Sequence, residues 1–238
     1  MNIKIKEFLR VAGVLDLSTI DFPGKLCSVV FLTGCPFHCP YCHNHSLIAA
    51  KGEARDVEEI ARSLEENYLI DGVCITGGEP TMQDITEFVK RLKDAGLAVK
   101  LDTNGYYPHR LEKLLRYVDY VAIDVKTSPD KYGKLTGRED AWEKVRLSLE
   151  VLSNSGVEWE ARTTVVPGLV WREEVGEIAK LMKVYNPDLY ALQQFSNENP
   201  LDPNLRTVKP PSVDDMRALA KTVPCRTIIR CKEGTFEV

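Results

Sequence analysis

The sequence has no long apolar run. Its opening stretch, MNIKIKEFLRVAGVLDLS, meets a charged residue every few positions. A secretion leader needs an unbroken apolar segment, and a membrane span needs about 20 apolar residues. Neither is expected here, and the expected address is the cytoplasm. An excess of one charge is also missing. Lys and Arg number 31 against 35 Asp and Glu, a formal net charge of −4. That balance offers no general attraction to nucleic acid or to an anionic membrane. No linker, low-complexity stretch or long run of like charges divides the 238 residues. One domain over 1–238 is therefore expected, long enough for one sizeable core.

Cysteine is scarce and unevenly placed. The seven are Cys27, Cys35, Cys39, Cys42, Cys74, Cys225 and Cys231. An odd count in a cytoplasmic chain argues against a disulfide framework and for metal or catalytic use of the clustered ones. Cys27 (in KLCSVVFL) and Cys74 (in GVCIT) lie in apolar runs and read as small buried hydrophobes. Cys225 and Cys231 flank RTIIR and read as structural, with a disulfide or an extra metal site as the other options. The remaining three sit together in GCPFHCPYCHN, residues 34–44, among His38, His43 and His45. A structural zinc site wants four ligands in a closed tetrahedron, and a histidine of this loop could be the fourth. A four-iron cluster is normally held by four cysteines. Three would leave one iron open to an exogenous ligand. Spacing alone leaves both options standing.

Strand-like and helical patterns alternate along the chain. Strands are expected at 26–34, 72–76, 97–103, 118–126, 157–168, 189–195 and 225–230. Helices are expected at 57–68, 85–96, 109–117, 141–156, 172–185 and 212–223, the last capped by Ser212. Val57, Ile60, Ala61 and Leu64 show the helical spacing, as do Val175, Ile178, Ala179 and Met182. Six βα units followed by a seventh strand imply parallel pairing and right-handed crossovers. The expected fold is α/β, an incomplete (β/α)6 TIM-like barrel with mostly parallel strands. Its core covers about residues 24–195, and a helix and strand close it at 212–231. A doubly wound open sheet is the alternative. The stretch 196–211 is the longest expected loop, either a rim or lid element or a passive surface segment.

The unusual residues fall at one topological place. The cysteines follow the first strand, TGGEP (76–80) the second, DTNG (102–105) the third and IDVK (123–126) the fourth, while QQF (193–195) ends the sixth. In parallel βα folds these strand ends share the face that carries chemistry. Motifs dispersed through the sequence should therefore meet in space.

Cys35, Cys39 and Cys42, spaced C-x3-C-x2-C with Tyr41 before the last, together with Gly77-Gly78-Glu79-Pro80, resemble the radical S-adenosylmethionine enzymes. The resemblance covers roughly residues 15–195. It implies that the three thiolates bind a [4Fe-4S] cluster whose fourth iron is chelated by the methionine amino and carboxylate groups of S-adenosylmethionine. Glu79 would accept from that amino group, and the two glycines would let the backbone approach the ligand. Tyr41 and His43 would lie against the adenosyl group. Asp124 and Lys126 would approach the nucleoside or the methionine carboxylate, and Asn104 joins the cofactor-binding set. Asp102, Thr103 and Asp124 resemble ligands of a monovalent cation beside that carboxylate. Arg162 would pair with an anionic group of the cofactor or of a substrate peptide. Plainer roles stay open: a helix cap for Asp102 and Thr103, an exposed lysine for Lys126, a salt bridge for Arg162.

CPYCHN, LDTNGYYP and VDYVAIDVKTSPD resemble the activating enzymes of glycyl-radical enzymes. The opening STIDFPGKLCSVVFLTGCPFHCPYCHN is most like activators of anaerobic ribonucleotide reductase, and pyruvate formate-lyase activators come next. The implied reaction is one-electron cleavage of S-adenosylmethionine to a 5′-deoxyadenosyl radical, which takes hydrogen from a glycine of the partner enzyme. A barrel that does not close would admit a peptide loop from the side. Flavodoxin or ferredoxin is the expected electron donor, and no side chain need act as a general base. The alternative is a small-molecule substrate, such as a deazapurine or cofactor precursor. Two departures are noted. Pyruvate formate-lyase activators carry a histidine near the end of the sixth strand, where this chain has Gln194 and Phe195. Residues 43–76 hold only Cys74, so no extra cluster is expected.

Overall fold

A computed structural model describes residues 7–49 and 51–238. Residues 1–6, at the head of the stretch searched for a leader, lie outside the described residues. Seven strands form the parallel part of the sheet: β2 (Cys27–Leu32), β4 (Gly72–Gly77), β5 (Ala98–Thr103), β6 (Tyr120–Asp124), β7 (Glu158–Val165), β8 (Leu189–Gln194) and β9 (Thr227–Cys231). Each pairs in parallel with the next. The helices after them are α1 (Val57–Glu65), α2 (Thr86–Asp94), α3 (Pro108–Leu114), α5 (Ala141–Ser153), α6 (Arg172–Tyr185) and α7 (Val213–Ala220). The expected βα order is thus present, with element ends moved by a few residues. The doubly wound alternative fails, because the parallel strands pair in simple sequence order.

Four elements were not expected. β1 (Phe8–Ser18) lies antiparallel to β2, and β3 (Glu53–Asp56) lies antiparallel to β1. β10 (Gly234–Glu237) folds back on β9, and the short α4 (Tyr132–Thr136) precedes α5. The first half of β1 does alternate, with Leu9 and Val11 buried and Phe8 and Arg10 exposed. β3 (EARD) and β10 (GTFE) carry almost no apolar pattern and take strand form through pairing. The sheet runs from β10 to β3, and these two outer strands do not pair with each other.

Successive residues of a strand face opposite sides. One face, with Val30, Val73, Ile75, Val99, Leu101, Val121 and Ile123, packs under the helices in the main core. Val57, Ile60, Ala61 and Leu64 of α1 and Val175, Ile178, Ala179 and Met182 of α6 are buried there, as their spacing predicts. Trp142 is only half-buried and packs on Tyr132 of α4. The other face lines the lumen. It carries a small apolar cluster of Phe22, Cys27, Val29, Cys74, Tyr120 and Ala122. Cys27 and Cys74 are both fully buried, as expected. Among the described residues, no helix is long and apolar enough to cross a membrane.

The lumen also holds charge. Glu160 of β7 is 1% exposed. Its carboxylate accepts two bonds from the Arg230 guanidinium, at 2.7 and 2.6 Å, and one from the Tyr120 hydroxyl at 3.1 Å. A buried carboxylate is tolerated only with such partners.

The end of β4 seats against β2 with almost no clearance. Gly77 has φ +124°, and a Cβ there would lie 2.2 Å from the Leu32 carbonyl oxygen. A Cβ on Gly78 would lie 2.4 Å from the Gly34 carbonyl oxygen. Backbone, not a flexible side chain, fills both places. These glycines are required by the chain's own packing, whatever a ligand also needs.

Two outcomes follow for urea unfolding. Arg230→Met strands the Glu160 charge and is expected to cost about 3 kcal/mol. Gly77→Ala forces β4 away from β2 and is expected to cost at least about 2 kcal/mol. A change below about 0.5 kcal/mol in either variant would contradict the corresponding contact.

Candidate functional site

The segment after β2 has little regular structure and takes its shape from ties to its surroundings. Gly34 N–H donates to the Leu47 carbonyl at 2.7 Å and Cys35 N–H to that of Ile48 at 3.1 Å, which closes the loop on itself. His38 N–H donates to the Thr136 carbonyl at 2.9 Å. Asp202 N–H, from the long stretch 196–211, donates to the Pro40 carbonyl at 2.8 Å. That stretch therefore touches the cysteine loop.

Cys35, Cys39 and Cys42 are all free thiols. They line one cavity of about 350 Å³. The same cavity is lined by Gly77 and Gly78 after β4, by Asp102, Thr103 and Asn104 after β5, and by Asp124 and Lys126 after β6. Arg162 of β7 and Gln193 and Gln194 of β8 complete it. Residues far apart in sequence thus meet at the C-terminal ends of consecutive parallel strands. Tyr41 and His43 also line the cavity. Tyr41 is buried and its hydroxyl has no hydrogen-bond partner, while His43 is exposed at the rim.

Glu79 is placed differently from the expectation. It is fully buried and is not part of the cavity wall. One carboxylate oxygen accepts from Thr81 N–H at 2.9 Å, from the Thr81 hydroxyl, and from the Thr103 hydroxyl at 2.8 Å. The other accepts from Asn104 N–H at 2.6 Å. Burial raises its pKa, and the hydrogen bonds oppose that rise. Glu79 thereby ties the turn after β4 to the turn after β5. Pro80 opens the short 3-10 turn beside it. The wall facing the cavity at this turn is the backbone of Gly77 and Gly78. Asn104 donates to the Cys35 sulfur at 3.6 Å.

The charged residues form a ladder across three strands. Asp102 is ion-paired with Lys100, and it accepts from Arg162 at 3.0 Å. Asp124 accepts from Arg162 at 2.9 Å and from Lys126 at 2.8 Å. Burial would raise both carboxyls, but Arg162 and its neighbouring lysines hold them below the usual carboxylate range. Burial would lower Lys126, but Asp124 keeps its pKa well above the usual value. Lys126 is therefore not a free surface lysine. Arg162 is a salt-bridge residue that also faces the cavity. Thr103 parts from Asp102, because its hydroxyl donates to Glu79. Lys100 was missed in the sequence. The alternation of AVKLDT, which sets Lys100 on the same strand face as Asp102, could have found it. Thr164, on the cavity wall, carries no sequence pattern that would single it out, whereas Gln193 belongs to the QQF strand end that the sequence marks.

The donor set suits a multi-iron cluster. Three thiols converge on one cavity, yet among the described residues no three His, Cys, Asp or Glu side chains are gathered closely enough to hold a single metal ion. A four-iron cluster takes one thiolate per iron and needs the sulfurs spread apart. Burial pushes the Cys35 thiol up to about 12 and the Cys39 thiol up to about 11. Metal must displace those protons on binding. The Tyr41 hydroxyl is buried and unpartnered.

Comparison with known proteins agrees with this geometry. Residues 29–182 match the family described as the Radical SAM superfamily. A Methanocaldococcus jannaschii protein, provisionally named a glycyl-radical enzyme activating enzyme, is 38% identical over 96% of this chain and 98% of its own. The pyruvate formate-lyase-activating enzyme of Streptococcus mutans is 28% identical over 93% of this chain and 94% of its own. A radical SAM methyltransferase of Sphaerobacter thermophilus superposes with a TM-score of 0.68 at 16% identity, covering 96% of this chain and 78% of that one, which shows the fold alone. The chain belongs to the radical S-adenosylmethionine superfamily, in the branch of the glycyl-radical-enzyme activating enzymes, and is an enzyme of radical chemistry built around a [4Fe-4S] cluster and S-adenosylmethionine.

Proposed function

We propose that this enzyme activates a glycyl-radical enzyme by removing hydrogen from the α-carbon of one glycine of that partner. The observation that carries the proposal is the meeting of three free thiols with four charged strand-end residues, Asp102, Asp124, Lys126 and Arg162, in one cavity. The 38% identity to an activating enzyme along almost the whole chain points to the same class of substrate. The outer strands β3 and β10 do not pair with each other, so the barrel wall is left unclosed, which suits a substrate offered as a polypeptide loop. Within that class, anaerobic ribonucleotide reductase is the partner favoured by the segment 18–44, and pyruvate formate-lyase is the competing partner. Flavodoxin or ferredoxin would supply the electron.

Each group then has a task. Cys35, Cys39 and Cys42 would hold the cluster, and the cluster with S-adenosylmethionine would supply the one-electron radical chemistry when bound. The Gly77 and Gly78 backbone sets how near the wall comes to the bound methionine. Lys126 and Arg162 present positive charge to its carboxylate. Tyr41 would lie against the adenosyl group, and with Phe37 it lines the cavity and shields the site from water. No side chain has to exchange a proton with the glycine.

Oxygen-free reconstitution with iron and sulfide tests the ligand set. Cys39→Ala is expected to stay colourless, without bound iron and without cleavage of S-adenosylmethionine. Cys225→Ala, outside the cavity, is expected to keep both. A Cys39→Ala protein that retains cluster and cleavage would contradict the assignment.

Electron paramagnetic resonance tests the partner. The reduced, loaded enzyme is mixed with anaerobic ribonucleotide reductase or with pyruvate formate-lyase from the same organism. A glycine-centred doublet is expected on the reductase. A doublet on the lyase alone would move the assignment to that partner. Cleavage of S-adenosylmethionine with neither radical would favour a small-molecule substrate.

A further inference from the structure

We infer that the lumen supplies its own cation where the family resemblance implies a monovalent metal ion, and that this cation is the Lys100 ammonium. The candidate ligands are Asp102, Thr103 and Asp124. A metal ion would need oxygens free to replace its hydration shell. Here every such oxygen already has a hydrogen-bond or ion-pair partner in the chain. Asp102 Oδ1 is bonded to Lys100 Nζ, and Oδ2 accepts from Arg162 at 3.0 Å and from the Thr76 hydroxyl at 3.3 Å. Asp124 Oδ1 accepts from Arg162 at 2.9 Å, and Oδ2 from Lys126 at 2.8 Å. Thr103 Oγ1 donates to Glu79 at 2.8 Å and accepts from Gly105 N–H at 3.1 Å.

An added ion would have to displace one resident positive charge and remain beside the others. The candidate set therefore does not fit a metal ion. Lys100 is 3% exposed, and its ammonium is held in the lumen by Asp102. A buried ammonium without such a partner would not stay charged. Lys100 is thus a positioning residue. It fills one side of Asp102 and leaves the other side to Arg162.

The charge balance has a further consequence. Two carboxylates face three cations, so the ladder carries one excess positive charge. The two cations that reach the cavity wall are Lys126 and Arg162. The methionine end of S-adenosylmethionine brings one carboxylate. The resident charges can receive it without a metal ion as intermediary.

The test is cofactor affinity, so the identity of the partner enzyme does not enter. Binding of S-adenosylmethionine to the cluster-loaded protein is measured by titration calorimetry. Chloride buffers of equal ionic strength contain K⁺, Na⁺ or tetramethylammonium. Wild-type affinities are expected to agree within about twofold. Lys100→Met empties the cation position. Its affinity is expected to fall about tenfold in tetramethylammonium and to recover in K⁺ or Na⁺. Lys100→Arg is expected to behave as wild type. A purely structural lysine would give no ion-specific recovery. A wild-type loss of about tenfold on removing K⁺ and Na⁺ would overturn the inference. So would a folded, loaded Lys100→Met protein whose loss neither ion repairs. If Lys100→Met does not fold, the wild-type series and Lys100→Arg decide.

Discussion

The whole cavity depends on how closely the C-terminal end of β4 approaches the chain that leaves β2. Neither Gly77 nor Gly78 has room for a Cβ, because the Leu32 and Gly34 backbone occupies the place. Glu79 N–H then donates to the Gly34 carbonyl at 2.8 Å. The same residue's carboxylate gathers Thr81, Thr103 and Asn104. One turn thus joins the cysteine loop, β4 and β5. The cysteine loop has little internal regularity, so these ties stand in for secondary structure. Loosening them would move thiols and cofactor wall together.

Electrostatics organises the rest of the lumen. Charges taken out of water survive only when paired, and each is paired here. Arg162 is the bridge, with one nitrogen on Asp102 and another on Asp124. A planar guanidinium can serve two carboxylates on neighbouring strands in fixed geometry, which an ammonium cannot. Glu160 and Arg230 form a separate neutral pair on the same lumen. The charges of the ladder are thus already paired within the chain itself.

Much of the fold was legible because helices buried on one stripe and strands buried on both faces leave strong periodic marks. α1 and α6 bury the residues their spacing named. β3 and β10 left no mark, since EARD and GTFE become strands only by pairing with β1 and β9. The motifs named strand ends that do line one cavity. They were poorer guides to where each side chain points. Glu79 looked like a ligand group and proved to be a knot between turns. Gly77 and Gly78 looked like room for a ligand, and their own backbone neighbours already demand them. Lys100 was passed over because a lysine between Val99 and Leu101 reads as a strand residue turned to solvent.

The sequence by itself determined the order of the βα units, their parallel pairing and the thiol-rich character of the first-strand loop. Three closely spaced cysteines before a Gly-Gly-Glu-Pro turn are local facts, and local spacing carries them. Only the tertiary structure decided which charges meet. Asp102 and Arg162 are 60 residues apart, and their contact exists because β5, β6 and β7 lie side by side in register. The direction of a side chain in the lumen depends on all its neighbours at once, and no stretch of chain encodes that alone.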